Sequence, residues 1–288
     1  MPRRLPGSLK ALVLGNATGP SGGARLKPDE DLARCLEKAI LKGDESHTPS
    51  KAFHPSSMQC ERNMFYQLKG VEQESDRSVS LIGICDSGTD RHLRLQKTIA
   101  SDYMRKLGWE FVDVVSFIKE RNLTHLEVVS VEEMEVKLYD KTRNVSFLTD
   151  GILRWKYDGK YYILEIKTES SRKFYKRKEV DPKHRDQGTI YPIEFGLDTG
   201  TIFLYESRDD TSHKLFYFPV TEAMKARKEE QLRYVTACAE SNELPPRPSD
   251  DVREYACTYC GFKALCALNH NGDGHIDPKY LTEENKHD

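Results

Sequence analysis

The chain has 288 residues, of which 38% are hydrophobic and 31% charged, and its formal net charge is −2. This length suffices for one large domain with insertions, and no apolar run approaches the ~18 residues that a membrane span needs. The near-neutral balance excludes a uniformly basic polymer-binding protein, while leaving room for a local basic surface on a weakly acidic chain.

The first 27 residues are rich in Gly, Pro and Ser. Leu12-Val13-Leu14 is too short an apolar stretch for a signal peptide and is flanked by Gly7, Lys10 and Gly15, so a mildly basic tail is expected. An amphipathic helix is predicted over 28–42, with Leu32, Cys35, Leu36 and Ile40 on one side, then a polar linker to about residue 50. Met64, Phe65 and Tyr66 follow Cys60 in a second helix. Asp86-Ser87-Gly88-Thr89 reads as the start of a third, running to about residue 107 with His92 on its first turns. Apolar runs fill 109–130, and strands are predicted over 131–140 and 145–148.

Residues 150–167 read as a β-hairpin. Asp158-Gly159 favours a two-residue type I′ turn, which pairs Trp155 with Tyr162 and Leu153 with Leu164. Alternation then gathers Leu153, Trp155, Tyr162, Leu164 and Ile166 on one face, to pack on a helix. The other face holds Asp150, Arg154, Lys156, Glu165 and Lys167, with Asp150 and Glu165 as diagonal neighbours about 7–8 Å apart. Two carboxylates so placed can share a hard divalent cation, and an adjacent lysine can hold a water. The same pattern also occurs in ordinary charged surface strands.

Beyond the hairpin comes a basic stretch, Arg172, Lys173, Lys176, Arg177, Lys178, Lys183, His184 and Arg185, interleaved with Phe174 and Tyr175. Cations with aromatics suit a threaded single strand. Gln187 and Tyr191 lie one helical turn apart. Strands at 201–205 and 214–218 form another hairpin, and a long helix over 221–241 ends before the Pro-rich 244–248. Cys257, Cys260 and Cys266 follow as C-x2-C-x5-C. Residues 269–280 resemble a calcium loop, but Asn269 and Tyr280 stand where acidic ligands belong, so a polar tail is expected there. The cysteine total, seven, is odd. Cys35, Cys85 and Cys238 lie in apolar contexts where free buried thiols are common. Such usage fits a reducing compartment, the cytoplasm of a bacterium or of the host of a virus.

An acidic residue followed through a hairpin by Glu-x-Lys resembles the PD-(D/E)XK nuclease superfamily, here with Thr149 in place of a proline that carries no chemistry. With His92 upstream and Gln187-x-x-x-Tyr191 downstream, the order resembles the RecB-type branch. The cysteine triplet with Cys60 far upstream resembles the iron–sulfur nucleases of that branch, the CRISPR-associated exonucleases and the AddB-type nuclease domain, in which one early and three late cysteines hold a 4Fe-4S cluster. Thiolate sulfur suits such a cluster. Structural zinc also accepts four thiolates, though its ribbons usually bring two C-x2-C knuckles.

The resemblance implies an α/β fold, a mixed central β-sheet flanked by helices around a restriction-endonuclease-like core. This domain would span residues 51–268, between an N-terminal tail and helix (1–50) and a polar C-terminal tail (269–288). A four-cysteine cluster of Cys60, Cys257, Cys260 and Cys266 would join its two ends. It further implies Mg2+ or Mn2+ held by His92, Asp150, Glu165 and the Ile166 carbonyl. The histidine ligand favours Mn2+. Lys167 would position the attacking water, and Gln187 and Tyr191 would orient substrate near the scissile phosphate. The expected activity is exonucleolytic hydrolysis of single-stranded or end-opened DNA in repair, recombination or foreign-DNA processing, with a recombination or helicase protein as partner and no membrane. A structure-specific endonuclease and a non-catalytic DNA-binding subunit are the other readings, and the N-terminal extension is a candidate oligomer contact.

Overall fold

The computed structural model describes residues 28–43, 50–74, 78–268 and 276–281. The expected N-terminal tail, most of the linker and residues 269–275 of the calcium-like loop lie outside them. The chain divides into two units, residues 1–45 and 46–288. In the first, helix α1 (Pro28–Gly43) forms where the apolar spacing predicts it, with Leu32, Leu36 and Leu41 exposed. Cys35 is exposed rather than buried, as is Cys85 in the second unit; of the three remaining thiols only Cys238 is buried.

The second unit opens with α2 (Glu61–Leu68), α3 (Val79–Ile99), α4 (Asp102–Leu107), β1 (Trp109–Val112) and α5 (Val114–Glu120). Next come β2 (Leu126–Glu132), β3 (Glu135–Asp140), β4 (Val145–Thr149), β5 (Gly151–Trp155) and β6 (Tyr161–Glu169). After these lie α6 (Ser171–Lys176), α7 (Pro182–Glu194), β7 (Gly200–Ser207) and β8 (His213–Pro219). The described helices end with α8 (Glu222–Ser241), α9 (Asp250–Ala256) and α10 (Lys263–Leu268).

The fold is a mixed α/β one. A five-stranded sheet runs in the order β1-β5-β6-β7-β8, and a three-stranded sheet in the order β2-β3-β4. Within the larger sheet only β6 and β7 are parallel. A parallel pair needs a crossover rather than a tight turn, and α6 and α7 supply it. The main core packs Phe65 and Tyr66 of α2 with Phe117, Leu138, Ile190, Val235 and Phe262. A second cluster sets Leu95 of α3 on Leu153, Leu164, Ile166 and Leu204, so the apolar face of the hairpin meets a helix as its alternation predicts.

Local departures have local causes. Ser78 caps α3, its side chain accepting from the Leu81 N–H at 3.2 Å, so the helix begins well before Asp86 and His92 lies in its interior. It stops at Ala100, and Ser101 caps the separate α4. The stretch 131–140 is two strands rather than one, because the chain turns at Glu133 (φ 50°) and sets Glu132 opposite Glu135. In the central hairpin Trp155 N–H donates to the Lys160 carbonyl at 3.0 Å, leaving 156–159 as the loop. Only Gly159 there has positive φ, 69°. A type I′ turn needs two such residues. Leu153 consequently pairs with Tyr162, a slip of two residues from the predicted register. An even slip keeps every side chain on its face. At the other end of the chain, residues 276–281 are not a free tail: Ile276 is buried and Leu281 bridges to Val71.

Candidate metal centre and cysteine site

Asp150 is the single residue between β4 and β5, where the chain leaves the small sheet for the large one. Gly151 makes that step with φ 150°, and a Cβ on it would lie 2.6 Å from the Phe111 ring. Gly151→Ala therefore combines left-handed strain with overpacking, about 2–4 kcal/mol together. It is expected to lower the melting temperature and to weaken Mn2+ binding by displacing Asp150. Calorimetry of both quantities checks this.

The β5–β6 register, continued by one residue, sets Asp150 directly opposite Glu165. Asp150 Oδ2 accepts the Ile166 N–H at 2.6 Å, and Oδ1 lies 3.0 Å from His92 Nδ1. Gln96 of α3 holds the Asp150 backbone carbonyl at 2.9 Å. Glu165 lies beneath, with Oε1 2.6 Å from Lys167 Nζ. Donor atoms of His92, Asp150 and Glu135 all lie within 4.8 Å of one another. Glu135 is the acid that sequence reasoning missed: it begins β3, just past a turn at Glu133-Met134 that carries no Gly, Asn or Pro to mark it.

The carboxylates of this centre repel and desolvate one another, while His92 and Lys167 each hold one of them. Burial pushes Glu165 up to about 7; the Lys167 charge opposes this and Asp150 adds to it, and desolvation wins because the carboxylate is almost fully enclosed. Glu135 is raised by burial and then by Asp150. Desolvation lowers the His92 imidazole, but its bond to Asp150 more than offsets this and the net shift is upward. A hard divalent ion would relieve the strain on the two raised carboxylates, and carboxylates with one imidazole are a suitable donor set for Mn2+ or Mg2+.

Gln187 and Tyr191 are both buried on α7, and Gln187 Nε2 donates to the Tyr191 hydroxyl at 2.8 Å. The Tyr191 ring packs 5.5 Å from that of Phe147. Burial and then the Glu165 charge raise its phenol well above the ordinary value, so it stays protonated. The pair thus lies close enough to the acidic centre for Tyr191 to feel its charge.

The basic stretch is largely neutralised internally. Arg177 binds Glu169 and Asp181, Lys173 binds Asp181 at 2.7 Å, and Arg185 pairs with Glu179. Phe174 is buried, and burial pushes the His184 imidazole down to about 2, with Lys167 and Lys183 adding to the effect. Arg172, Lys176 and Lys178 remain exposed outside those pairs. Lys183 is lowered by desolvation and then by Lys173 and Lys167, which marks a local excess of positive charge beside the acidic centre.

Cys60, Cys257, Cys260 and Cys266 converge. They line one cavity of about 170 Å³ together with Arg62, Asn63 and Phe262. Cys60 is the N-cap of α2 and Cys257 the C-cap of α9, so the site ties the two ends of the second unit. Asn63 Nδ2 donates to Cys260 Sγ at 3.5 Å, and an Arg62 guanidinium nitrogen to Cys266 Sγ at 3.7 Å. Burial pushes the Cys60 thiol up to about 11 and raises Cys260 as well, so any occupant must displace protons. Four sulfurs and two N–H donors fit a 4Fe-4S cluster.

No family model matches this chain, and no curated protein matches it. Among solved structures it is similar to the crystal structure of SSO0001, with a TM-score of 0.44 and 18% identity, over 88% of this chain and 99% of that one. Among the described residues no helix is long and apolar enough to cross a membrane.

Proposed function

We propose that this chain is a metal-dependent DNA exonuclease of the PD-(D/E)XK superfamily, in its RecB-type iron–sulfur branch. The observation that carries the reading is the juxtaposition at the step between the sheets: Asp150 opposite Glu165, His92 on the first and Lys167 on the second. His92, Asp150 and Glu165 would hold Mn2+ or Mg2+, with Glu135 as an added ligand and the Ile166 carbonyl as an expected one. The chemistry such an ion supplies is Lewis-acid polarisation of a phosphoryl oxygen and acidification of water.

The chain's own groups do the rest. Lys167 sits on Glu165 and can orient a water or a non-bridging phosphate oxygen toward the reacting centre. The Ile166 N–H fixes the Asp150 carboxylate, and the Gln187–Tyr191 pair stiffens the floor. Arg172, Lys176 and Lys178, exposed and outside the internal ion pairs, would attract the phosphates of an incoming strand, with Lys183 nearer the acidic centre. Cys60, Cys257, Cys260 and Cys266 would hold the cluster as a structural clasp.

End-labelled linear and circular single-stranded DNA, incubated with anaerobically purified protein in Mn2+, Mg2+ or EDTA, tests the reading. Loss of the linear substrate only, dependent on metal, is expected. Cutting of circles would move the assignment to an endonuclease, and binding without cleavage under every metal would leave a non-catalytic DNA-binding subunit.

A further inference from the structure

On β3 and α7, away from Asp150 and Glu165 in sequence, a second group of potential ligands is gathered. Donor atoms of His125, Asp140 and Glu194 lie within 4.8 Å of one another. His125 directly precedes β2, Asp140 ends β3 and Glu194 ends α7, so the group joins three elements. Asp140 and Glu194 are fully buried. Neither carboxylate oxygen of Glu194 has a hydrogen-bond donor among the described residues. It faces the Asp140 carboxylate, which is also an acceptor. Two acceptors buried face to face require a cation or a shared proton between them.

The surroundings do not provide enough charge. Asp140 Oδ1 accepts the Thr142 N–H at 2.6 Å and the Arg143 N–H at 3.1 Å, and Oδ2 accepts the Arg143 guanidinium at 2.8 Å. The same guanidinium is shared with Glu229 at 2.8 Å. That one positive charge is taken up by Asp140 and the part-exposed Glu229, and it makes no hydrogen bond to Glu194. The His125 ring adds a third type of donor. Its Nε2 lies 2.9 Å from the Glu194 carbonyl, which can only accept. The hydrogen is therefore on Nε2, and Nδ1 keeps its lone pair. An outer hydrogen bond of this kind is what orients histidines that ligate metals. A surface cavity of about 380 Å³, lined by Arg143, Ile193 and Glu229 among others, lies on the outer side of the Arg143 that binds Asp140.

We propose that His125, Asp140 and Glu194 form a second, structural metal site that takes Zn2+. One imidazole and two carboxylates suit zinc, and its bonds of about 2.0–2.2 Å are reached from the observed spacing by small side-chain rotations. Bound there, the ion clamps the end of α7 to the end of β3, and so steadies the helix that carries Gln187 and Tyr191. The rival occupant is a proton. Burial, followed by the Asp140 carboxylate, raises Glu194 well above its ordinary value, so without an ion it is neutral.

The test uses the full chain carrying Asp150→Asn, which disables the other centre and makes the result independent of the nuclease reading. The protein is equilibrated with Zn2+, dialysed, and analysed for zinc and iron per chain and for melting temperature, alone and combined with Glu194→Gln or His125→Ala. The expected result is one zinc per chain lost in each combination, and a zinc-dependent rise in melting temperature that disappears with it. Glu194→Gln imitates the protonated acid, so it folds if a proton is the natural occupant; His125→Ala serves if it does not. Equal zinc content with and without these changes overturns the proposal and assigns the pair a shared proton.

Discussion

Glu165→Gln is expected to lower metal-dependent cleavage by about 10³-fold or more while leaving single-stranded DNA binding nearly unchanged. The substitution keeps the volume and removes the charge. Glu165 is 3% exposed and lies opposite Asp150, so the variant removes one of the three carboxylates at the centre and leaves Lys167 without its charged partner. Loss of about 4 kcal/mol of transition-state stabilisation corresponds to that factor. The basic groups proposed to attract DNA are untouched, so a filter-binding measurement separates turnover from affinity. Cleavage at the wild-type rate by the variant would sink the proposed site.

The pH dependence follows from the same residue. Glu165 keeps its proton up to about 7, and His92 is also shifted upward. A proton on either group competes with a divalent ion. Below pH ~7 the metal must displace it, so apparent Mn2+ affinity and cleavage rise with pH through that range and level off above it. For stability without metal the sign is opposite. The folded carboxyl binds its proton more tightly than the unfolded one, so stability falls as pH rises from the unfolded value, about 4.3, through about 7, and is then constant. Calorimetry in buffers of different ionisation enthalpy should detect proton release on Mn2+ binding below pH ~7, reduced in Glu165→Gln.

The second large effect concerns the cysteines. Cys257→Ser is expected to abolish the visible absorption and the bound iron of anaerobically purified protein, and to lower its melting temperature by about 8–16 °C if the cluster contributes about 4 kcal/mol. The reason is topological: a cluster on the four sulfurs would join the N-cap of α2 to the C-cap of α9 and to α10, elements nearly two hundred residues apart in the chain. Cys238→Ser, at a thiol outside the cavity, is the matched control and should keep the iron. Zinc in place of iron in the wild-type protein would reassign the occupant while preserving the stability effect.

Much of the site was legible because its determinants are local. The faces of the hairpin follow from alternation, which is why a two-residue error in register moved no side chain across the sheet. The same error hid the direct opposition of Asp150 and Glu165, because the register depends on a loop whose Asp158 does not adopt the positive φ a type I′ turn requires. Glu135 was invisible because an unmarked turn at Glu133 reversed the strand. The basic stretch was overread: its sequence contains the cations, but Asp181 lies within it and Glu169 just before it, and the fold turns both onto Arg177.

The order of residues along the chain supplies the candidate chemistry: the acidic hairpin face, the Glu-x-Lys pair and the spacing of the cysteine triplet, the faces being set by side-chain alternation and by the few residues that open or close a turn. Long-range packing sets which of these groups meet and in what state. It buried Glu165 deeply enough to hold a proton, added Glu135 from another sheet and enclosed four distant thiols around one cavity. The physical reason is that alternation acts within a few residues of chain, whereas desolvation and charge pairing depend on which remote segments pack together, and a single sequence does not state those distances.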